Sequence, residues 1–306
     1  MKVFVTGATG AIGRPTVPLL TAAGHEVTAV VRSPEKRAQV ETAGAAGVEV
    51  DLFDAAAVRQ AVAGHDAVVN LVTNIPPMTQ AGRPSAWATN DRLRREASAH
   101  LVDGAIAAGA ARLVQESIVF SYPDSGERWI DAESTPPEPS PTVRSALVAE
   151  AQAQRFTDAG GTGVVLRFGM FYGPGLAHTE ALLRLARRGL AYAGGRPGAY
   201  RSSIHVDDAA AAVVAALAVP AGTYDVVDDE PLTSAEYADV LAAAVGRRRY
   251  VRGPGRLMRL GGSTAEPLVR SQRVSNRRFR SVAGWSPRWA SVADGLPAVV
   301  GPAPVG

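Results

Sequence analysis

The sequence predicts an α/β protein of the Rossmann type, a doubly wound parallel sheet with a smaller C-terminal lobe. Short β-branched runs alternate with alanine-rich helical stretches through the first half of the chain. This alternation is typical of a parallel sheet wrapped by helices. In addition, a glycine-rich segment directly follows the first of these runs. That position favours a phosphate-binding turn between the first strand and the first helix.

The pattern of apolar residues places the individual elements. The short runs are nearly all apolar, as a sheet buried on both faces requires. They predict strands at 2–6, 26–31, 48–50, 67–71, 112–115 and 163–166. Helices are predicted at 12–23, 55–63, 88–108, 143–159, 206–218 and 234–245. Thr233 and Glu236 form a capping box that marks the start of the last of these helices.

Composition narrows the class of protein. No apolar run in the 306 residues approaches the ~20 that a membrane span needs. The absence of cysteine excludes disulfides and thiol catalysis. A formal charge of +3 with interleaved acids and bases does not indicate a nucleic-acid partner. Because Met1 leads directly into the first strand, we expect no signal peptide and a cytoplasmic location.

The chain carries one arginine-rich stretch, at 270–280. Serine, glutamine and asparagine are interleaved with its arginines, so we expect a solvated surface segment. The alternative is a patch that meets an anionic ligand or a partner chain.

The glycine-rich segment has the residues that a dinucleotide pyrophosphate needs. Glycines permit a tight turn and let backbone N–H groups approach the phosphates at a helix N-terminus. The residues predicted to bind the cofactor here are Gly7, Thr9, Gly10, Ala11, Ile12 and Gly13.

The end of the second strand indicates which cofactor is bound. An NAD-specific site usually has an Asp or Glu there for the ribose 2′-hydroxyl. This chain instead has Arg32, Ser33 and then Lys36 and Arg37, which suit a 2′-phosphate. An exposed turn with a basic helix start would also explain them. We expect NADP(H), with NAD(H) as the less favoured cofactor.

With these motifs, the chain resembles the extended branch of the short-chain dehydrogenase/reductase superfamily, the nucleotide-sugar epimerase/dehydratase-like proteins. Segments that match family signatures follow one another along the chain at 7–13, 51–54, 70–73, 165–175, 204–209 and 222–226. Asn90 lies where the family has an asparagine in a long helix. The resemblance implies adenine and cofactor contacts by Asp51, Leu52, Leu71, Val72, Thr73, Phe168 and Met170. It also implies a division into an NADP(H)-binding domain (1–166) and a mainly substrate-binding lobe (167–306), with about 200–220 returning to the first domain.

The chain departs from the family at the catalytic pair. The tyrosine and lysine positions of the family are Thr142 and Ala146, and no other Tyr-x-x-x-Lys occurs. Lysine is found only at Lys2 and Lys36. The lost lysine normally lowers the tyrosine pKa from about 10. A threonine hydroxyl is too weak an acid to replace that phenol near neutral pH.

Three residues are candidates for a catalytic role. Glu116 takes the place of the family's helper serine at a strand end, where it would act as a general acid or base. Its alternative roles are an ion pair with an arginine or a cap on loop N–H groups. Ser117 would bond a substrate carbonyl or the local backbone. Thr142 would contact substrate or cap a helix.

Two further residues have alternative roles. Tyr122 is a candidate replacement phenol or a packing residue. For His205 we favour a structural hydrogen bond over catalysis.

The resulting prediction is an NADP(H)-dependent oxidoreductase that acts on a small carbonyl or hydroxyl compound with a non-standard acid or base. One alternative is a redox-neutral isomerase, epimerase or lyase that uses Glu116. The other is a non-enzymatic NADP(H) sensor. In each case we expect a small-molecule ligand, no nucleic-acid or membrane partner, no metal, and a monomer or homodimer.

Overall fold

A seven-stranded parallel sheet forms the centre of the molecule, and the predicted α/β fold is confirmed. The computed structural model describes residues 1–77, 80–253 and 266–300. The strands are β1 (Lys2–Thr6), β2 (Glu26–Val31), β3 (Ala46–Glu49), β4 (Ala67–Asn70), β5 (Arg112–Ile118), β6 (Trp129–Ile130), β7 (Thr162–Phe168), β8 (Met170–Tyr172), β9 (Leu190–Ala191), β10 (Tyr200–Arg201), β11 (Ser203–His205), β12 (Gly222–Val226), β13 (Leu232–Thr233), β14 (Val251–Arg252) and β15 (Arg273–Val274). The order in the main sheet is β12-β7-β5-β4-β1-β2-β3.

Helices cover both faces of this sheet. They are α1 (Gly13–Ala22), α2 (Pro34–Thr42), α3 (Ala55–Val62), α4 (Ala88–Arg92), α5 (Ser98–Ala107), α6 (Arg144–Asp158), α7 (Ala177–Arg187), α8 (Val206–Ala216), α9 (Ser234–Ala244), α10 (Arg277–Ala283) and α11 (Val292–Val300). A π-helical turn, Leu93–Ala97, joins α4 to α5 within the predicted long helix.

Successive side chains of each strand point to opposite faces of the sheet, so the core forms two layers, one on each face. Val3 and Val5 face one layer, which contains residues of α1 and α8. Phe4, between them, faces the other layer, which contains residues of α3, α5 and α6. Both faces are therefore buried, which explains why the sequence shows nearly continuous apolar runs.

The C-terminal part has a smaller core of its own, in which α7, α9 and α11 pack around Tyr172. From the same part of the chain, β12 pairs with β7 at the edge of the main sheet. The division of the chain at residue 166 stays a prediction. Among the described residues, no helix combines the length and apolarity that crossing a membrane would take.

The arginine-rich stretch differs from expectation. Arg270, Ser271 and Gln272 are buried, so the prediction of a solvated segment is wrong. Arg270 Nη1 donates to the carbonyl oxygens of Tyr122 (2.8 Å) and Glu138 (2.7 Å). Gln272 Nε2 also donates to the Tyr122 oxygen, at 2.6 Å. We call residues 270–278 the arginine clasp, because their donors hold the loop at 121–138 through its backbone.

Gly13 tests how closely the first turn is packed. A Cβ at this position would overlap the carbonyl oxygen of Gly7. We expect Gly13→Ala to lower the free energy of unfolding by about 1–3 kcal/mol, the usual range for overpacking. Urea denaturation measures this. Gly198→Ala is the control, since nothing lies within 4 Å of the added carbon. Equal stability of the two variants would contradict the close packing.

Candidate active site

The glycine turn lies against the chain segment that follows β4. Gly7 has φ +71°, and a Cβ there would come within 2.5 Å of the Leu71 carbonyl. The Gly10 N–H closes the turn by donating to the Gly7 oxygen at 2.9 Å. Gly10 and Ala11 are exposed, whereas Ile12 is buried in the core. The turn thus offers open backbone at the start of α1, which fits a pyrophosphate.

The end of β2 provides a separate basic position. Arg32 is exposed, and no described residue pairs with its guanidinium. Ser33 caps α2 by accepting from the Lys36 N–H at 3.3 Å. Arg37 is turned away, since it donates to the Gly47 oxygen and pairs with Glu49 at 3.4 Å. Lys36 Nζ makes only a long contact with Gln39 Oε1, at 3.4 Å, so Arg32 and Lys36 are the basic side chains that could turn to a phosphate.

The other predicted cofactor residues are distributed unevenly. Phe168 is fully buried in the core layer on the α1 side, so its side chain does not face open space. Asp51 is exposed, and its Oδ1 accepts from the Phe53 N–H at 2.9 Å. The remaining ones are buried or half-buried; Met170 begins β8, and the others lie in the segments after β3 and β4: Leu52, Leu71, Val72 and Thr73.

Parallel strands of such a sheet place their ligands at the C-terminal ends. We call the ends of β1, β4 and β5, with the loops that follow them, the carboxyl edge. Glu116 lies there on β5 and is 4% exposed. Both of its carboxylate oxygens lie 3.1 Å from Arg94 Nη2 of the π-helical turn. The geometry is that of the ion pair considered as the alternative for Glu116, and an acid–base role for Glu116 stays a prediction.

Ser117 faces the opposite side of β5 and belongs to another buried pair. Its Oγ donates to Glu150 Oε1 on α6 at 2.5 Å. Arg167 on β7 grips the same carboxylate through Nε (2.8 Å) and Nη2 (2.6 Å). The Ser117 hydroxyl is therefore committed to Glu150 in this structure, and a contact with substrate stays a prediction.

Tyr122 extends this network towards β12. It accepts from Arg167 Nη1 at 2.8 Å, and its hydroxyl donates to Asp225 Oδ1 at 2.9 Å. The residue is fully buried, and burial raises the pKa of its phenol far above the usual value. Tyr122 thus packs at the centre of a network and is not poised to release a proton.

The start of α6 shows what occupies the positions of the family's catalytic pair. Thr142 Oγ1 lies 3.3 Å from Ser140 Oγ. The helix starts at Arg144 with Val143 as its N-cap, so the expectation that Thr142 caps it is wrong. Ala146 is fully buried and brings no polar group.

His205 has the structural role that was favoured for it. Its Nδ1 accepts from the Asp207 N–H at 3.2 Å, which makes it the N-cap of α8. Its ring lies 3.9 Å from that of Trp289, centroid to centroid. Burial lowers the pKa of the imidazole.

Two residues at the carboxyl edge were not predicted as partners. Arg94 is 3% exposed and Glu150 is held by two strands, although the sequence places both on helices with many charged residues. Helical spacing does indicate that Arg94 follows Asn90 by one turn on the same face. Nothing in the sequence indicates that this face is buried.

A glycine turn between β1 and α1, polar side chains at the carboxyl edge and a separate C-terminal core define a dinucleotide-binding α/β enzyme. The model of the NAD dependent epimerase/dehydratase family matches residues 3–226. The chain belongs to that family, and it is an enzyme of the oxidoreductase and epimerase kind.

Two relatives are informative. A 3-diazoavenalumate denitrifying reductase from a Streptomyces species is 36% identical over 310 residues, covering 97% of this chain and 99% of the relative. A 2-alkyl-3-oxoalkanoate reductase from Stenotrophomonas maltophilia is 29% identical over 266 residues, covering 81% and 77%.

Solved structures agree with the fold. The human epimerase family protein SDR39U1, solved with NADPH, is 25% identical with a TM-score of 0.78, covering 98% of this chain and 99% of that one. The UDP-glucose 4-epimerase of Thermus thermophilus, solved with NAD, is 22% identical with a TM-score of 0.75 and 98% coverage of both chains.

Asp225 predicts how stability depends on pH. Burial raises its pKa from 3.8 to about 7. Between pH 3.8 and about 7 the folded protein keeps a proton on Asp225 that the unfolded chain releases. The free energy of unfolding therefore falls as the pH rises through this range. We expect Asp225→Asn to reduce that slope, as measured by urea midpoints from pH 4.5 to 8; buried Asp208 and Asp228, whose pKa values burial also raises, contribute the remainder. An unchanged slope in the variant would assign the titration to another group.

Proposed function

We propose that this chain is an NADPH-dependent reductase whose hydride acceptor needs no acid from the protein. One observation carries the proposal: Thr142 and Ala146 occupy the positions where the family has its proton-donating tyrosine and the lysine that activates it. We infer that the two candidate acids among the described residues, Glu116 and Tyr122, do not replace them. Glu116 is paired with Arg94, and Tyr122 is buried with a raised pKa.

The cofactor part of the proposal rests on the glycine turn and on Arg32. The turn would hold the pyrophosphate, and Arg32 with Lys36 at the start of α2 would hold a 2′-phosphate. The similarity to a human protein solved with NADPH supports this choice.

The acceptor is best described as a conjugated diazo compound. The name of the Streptomyces relative gives it a diazo substrate and a denitrifying reaction. When bound, NADPH supplies a hydride that bonds to the diazo-bearing carbon, while the C–N bond breaks and its electron pair leaves with dinitrogen. No proton is consumed in this exchange. An aryl group is required because alkyl diazonium ions lose nitrogen without a catalyst.

The protein then has three tasks at the carboxyl edge. It positions the acceptor carbon beside the nicotinamide, which accounts for most of the rate gain in a hydride transfer. It keeps water away from a reactive group. It also stabilises the charge that arrives with the hydride.

A second candidate, reduction of a 3-oxo acid, is favoured by the Stenotrophomonas relative. Such an alkoxide product needs a proton, which Glu116, Ser117 or Thr142 would have to supply. Glu116 and Ser117 are already engaged with Arg94 and Glu150, so we rank this candidate second.

The cofactor preference is tested at Arg32. We expect Arg32→Ala to weaken NADPH binding about ten-fold or more, the effect of losing a hydrogen bond to a charged group, and to change NADH binding little. Fluorescence titration measures both constants. Arg37→Ala is the matched control, since Arg37 is engaged by Gly47 and Glu49. A parallel loss for both cofactors would argue against a 2′-phosphate contact.

The reaction is tested with NADPH deuterated at C4 and an ortho-diazophenol. We expect one dinitrogen for each NADPH oxidised and deuterium at the carbon that lost nitrogen. The wild-type rate should be the same in heavy water as in ordinary water, because no protein proton moves in the transition state. For the same reason a Thr142→Val variant should react at the wild-type rate. Mass spectrometry and gas analysis supply the readouts. Deuterium taken from the solvent in place of the cofactor would refute the proposal.

A further inference from the structure

Two buried donors near the carboxyl edge have no partner among the described residues. They are Asn90 Nδ2 and Arg94 Nε. Asn90 is fully buried and Arg94 is 3% exposed. The two residues are four apart on one helix, so their side chains share a face. Buried donors in folded proteins are nearly always paired with protein, water or ligand.

The geometry of the Arg94–Glu116 pair explains why Arg94 Nε has no partner among the described residues. Both oxygens of Glu116 contact the same terminal nitrogen, Nη2. The two-pronged geometry that would also engage Nε is not formed. Glu116 thus fixes the guanidinium in place without satisfying it.

A short chain of contacts connects Asn90 to the glycine turn. Asn90 Oδ1 accepts from the Asn74 N–H at 3.0 Å. Asn74 follows Leu71, whose backbone packs on Gly7. Glu116 lies on β5, directly beside β4. The π-helical turn that carries Arg94 is a geometry often found at functional sites.

We propose that Asn90 and Arg94 form the subsite for an anionic oxygen of the substrate, a phenolate conjugated with the carbon that accepts hydride. This assignment rests on the proposed reductase function. The groups left unpaired here are two N–H donors, one of them on a cation, and such donors select an electron-rich oxygen. Hydride delivered to a diazo quinoid ring leaves its negative charge on this oxygen, so the same donors stabilise the product side of the reaction. Glu116 is a positioning residue for Arg94.

The test uses 4-nitrophenol, which is yellow as the anion and nearly colourless as the neutral phenol. Bound at this subsite, the probe should ionise at a pH where the free probe is mostly neutral. Absorbance then reports binding without cofactor or turnover. We expect the wild-type protein to show this shift.

Four variants separate the roles. Arg94→Met combined with Glu116→Leu removes the pair without leaving a lone buried charge, and it should weaken anion binding about ten-fold or more. Asn90→Asp keeps the acceptor for Asn74 but loses the donor, so the shift should shrink. Glu116→Gln removes a competing negative charge and should enlarge the shift. Arg95→Met is the control, since Arg95 is the exposed neighbour.

Two outcomes would overturn the proposal. In the first, the wild-type protein leaves the probe neutral, which would mean that these donors hold water. In the second, the double variant shifts the probe as the wild type does. NADPH titration of the same proteins keeps the two proposals apart. If wild type fails to bind NADPH, the reductase proposal fails, whereas the anion subsite is judged by the probe alone.

Discussion

A buried ion pair between α6 and β7 fixes the frame on which the candidate active site is built. Arg167 presents Nε and Nη2 to the two oxygens of Glu150 in a parallel fork. Ser117 adds β5 to the pair, and Tyr122 adds the loop that follows β5. Removing one partner of such a pair would leave a buried charge, which is strongly destabilising. The pair therefore fastens α6 to the C-terminal ends of β5 and β7.

The two buried arginines at this edge differ in how completely they are satisfied. Arg167 engages Glu150 with two nitrogens and Tyr122 with the third. Arg94 engages Glu116 through one nitrogen only. A saturated guanidinium is a structural tie. An unsaturated one, equally buried and paired with a residue of the carboxyl edge, has donors to offer a ligand.

The sequence predicted most of the architecture, because its signals are local. Strands at 2–6 and 26–31 end where the structure ends them, since apolar runs and turn residues mark both limits. Strand β5 was predicted to stop at 115 but continues to Ile118. Its last residues include Glu116 and Ser117. Polar residues after an apolar run usually indicate that a strand has ended, because the sequence does not show the buried partners that allow the strand to continue. Those partners lie on other elements, at Arg94 and Glu150, and no local pattern reveals them.

Some parts of the candidate active site could be predicted from the sequence and others could not, again because the signals in the sequence are local. The glycine turn depends on neighbouring residues, so its geometry follows from the motif. The roles of Tyr122 and the arginine clasp depend on contacts between distant segments. An arginine among serine and glutamine residues is typical of a solvent-exposed segment. Here, however, Arg270 donates to carbonyl oxygens of the 121–138 loop. A long-range match of donors and acceptors cannot be inferred from composition.

The arginine clasp also bears on the order in which the protein is made. Arg270 reaches Tyr122 across 148 positions of the chain. At the usual pace of translation, on the order of ten seconds separate the appearance of these two residues. During this interval the sheet strands up to β7 can already pair, while the carbonyls of the 121–138 loop still face water. The nascent chain would complete its sheet first, and the backbone oxygens of Tyr122 and Glu138 would meet their arginine donor only when the distal segment arrives.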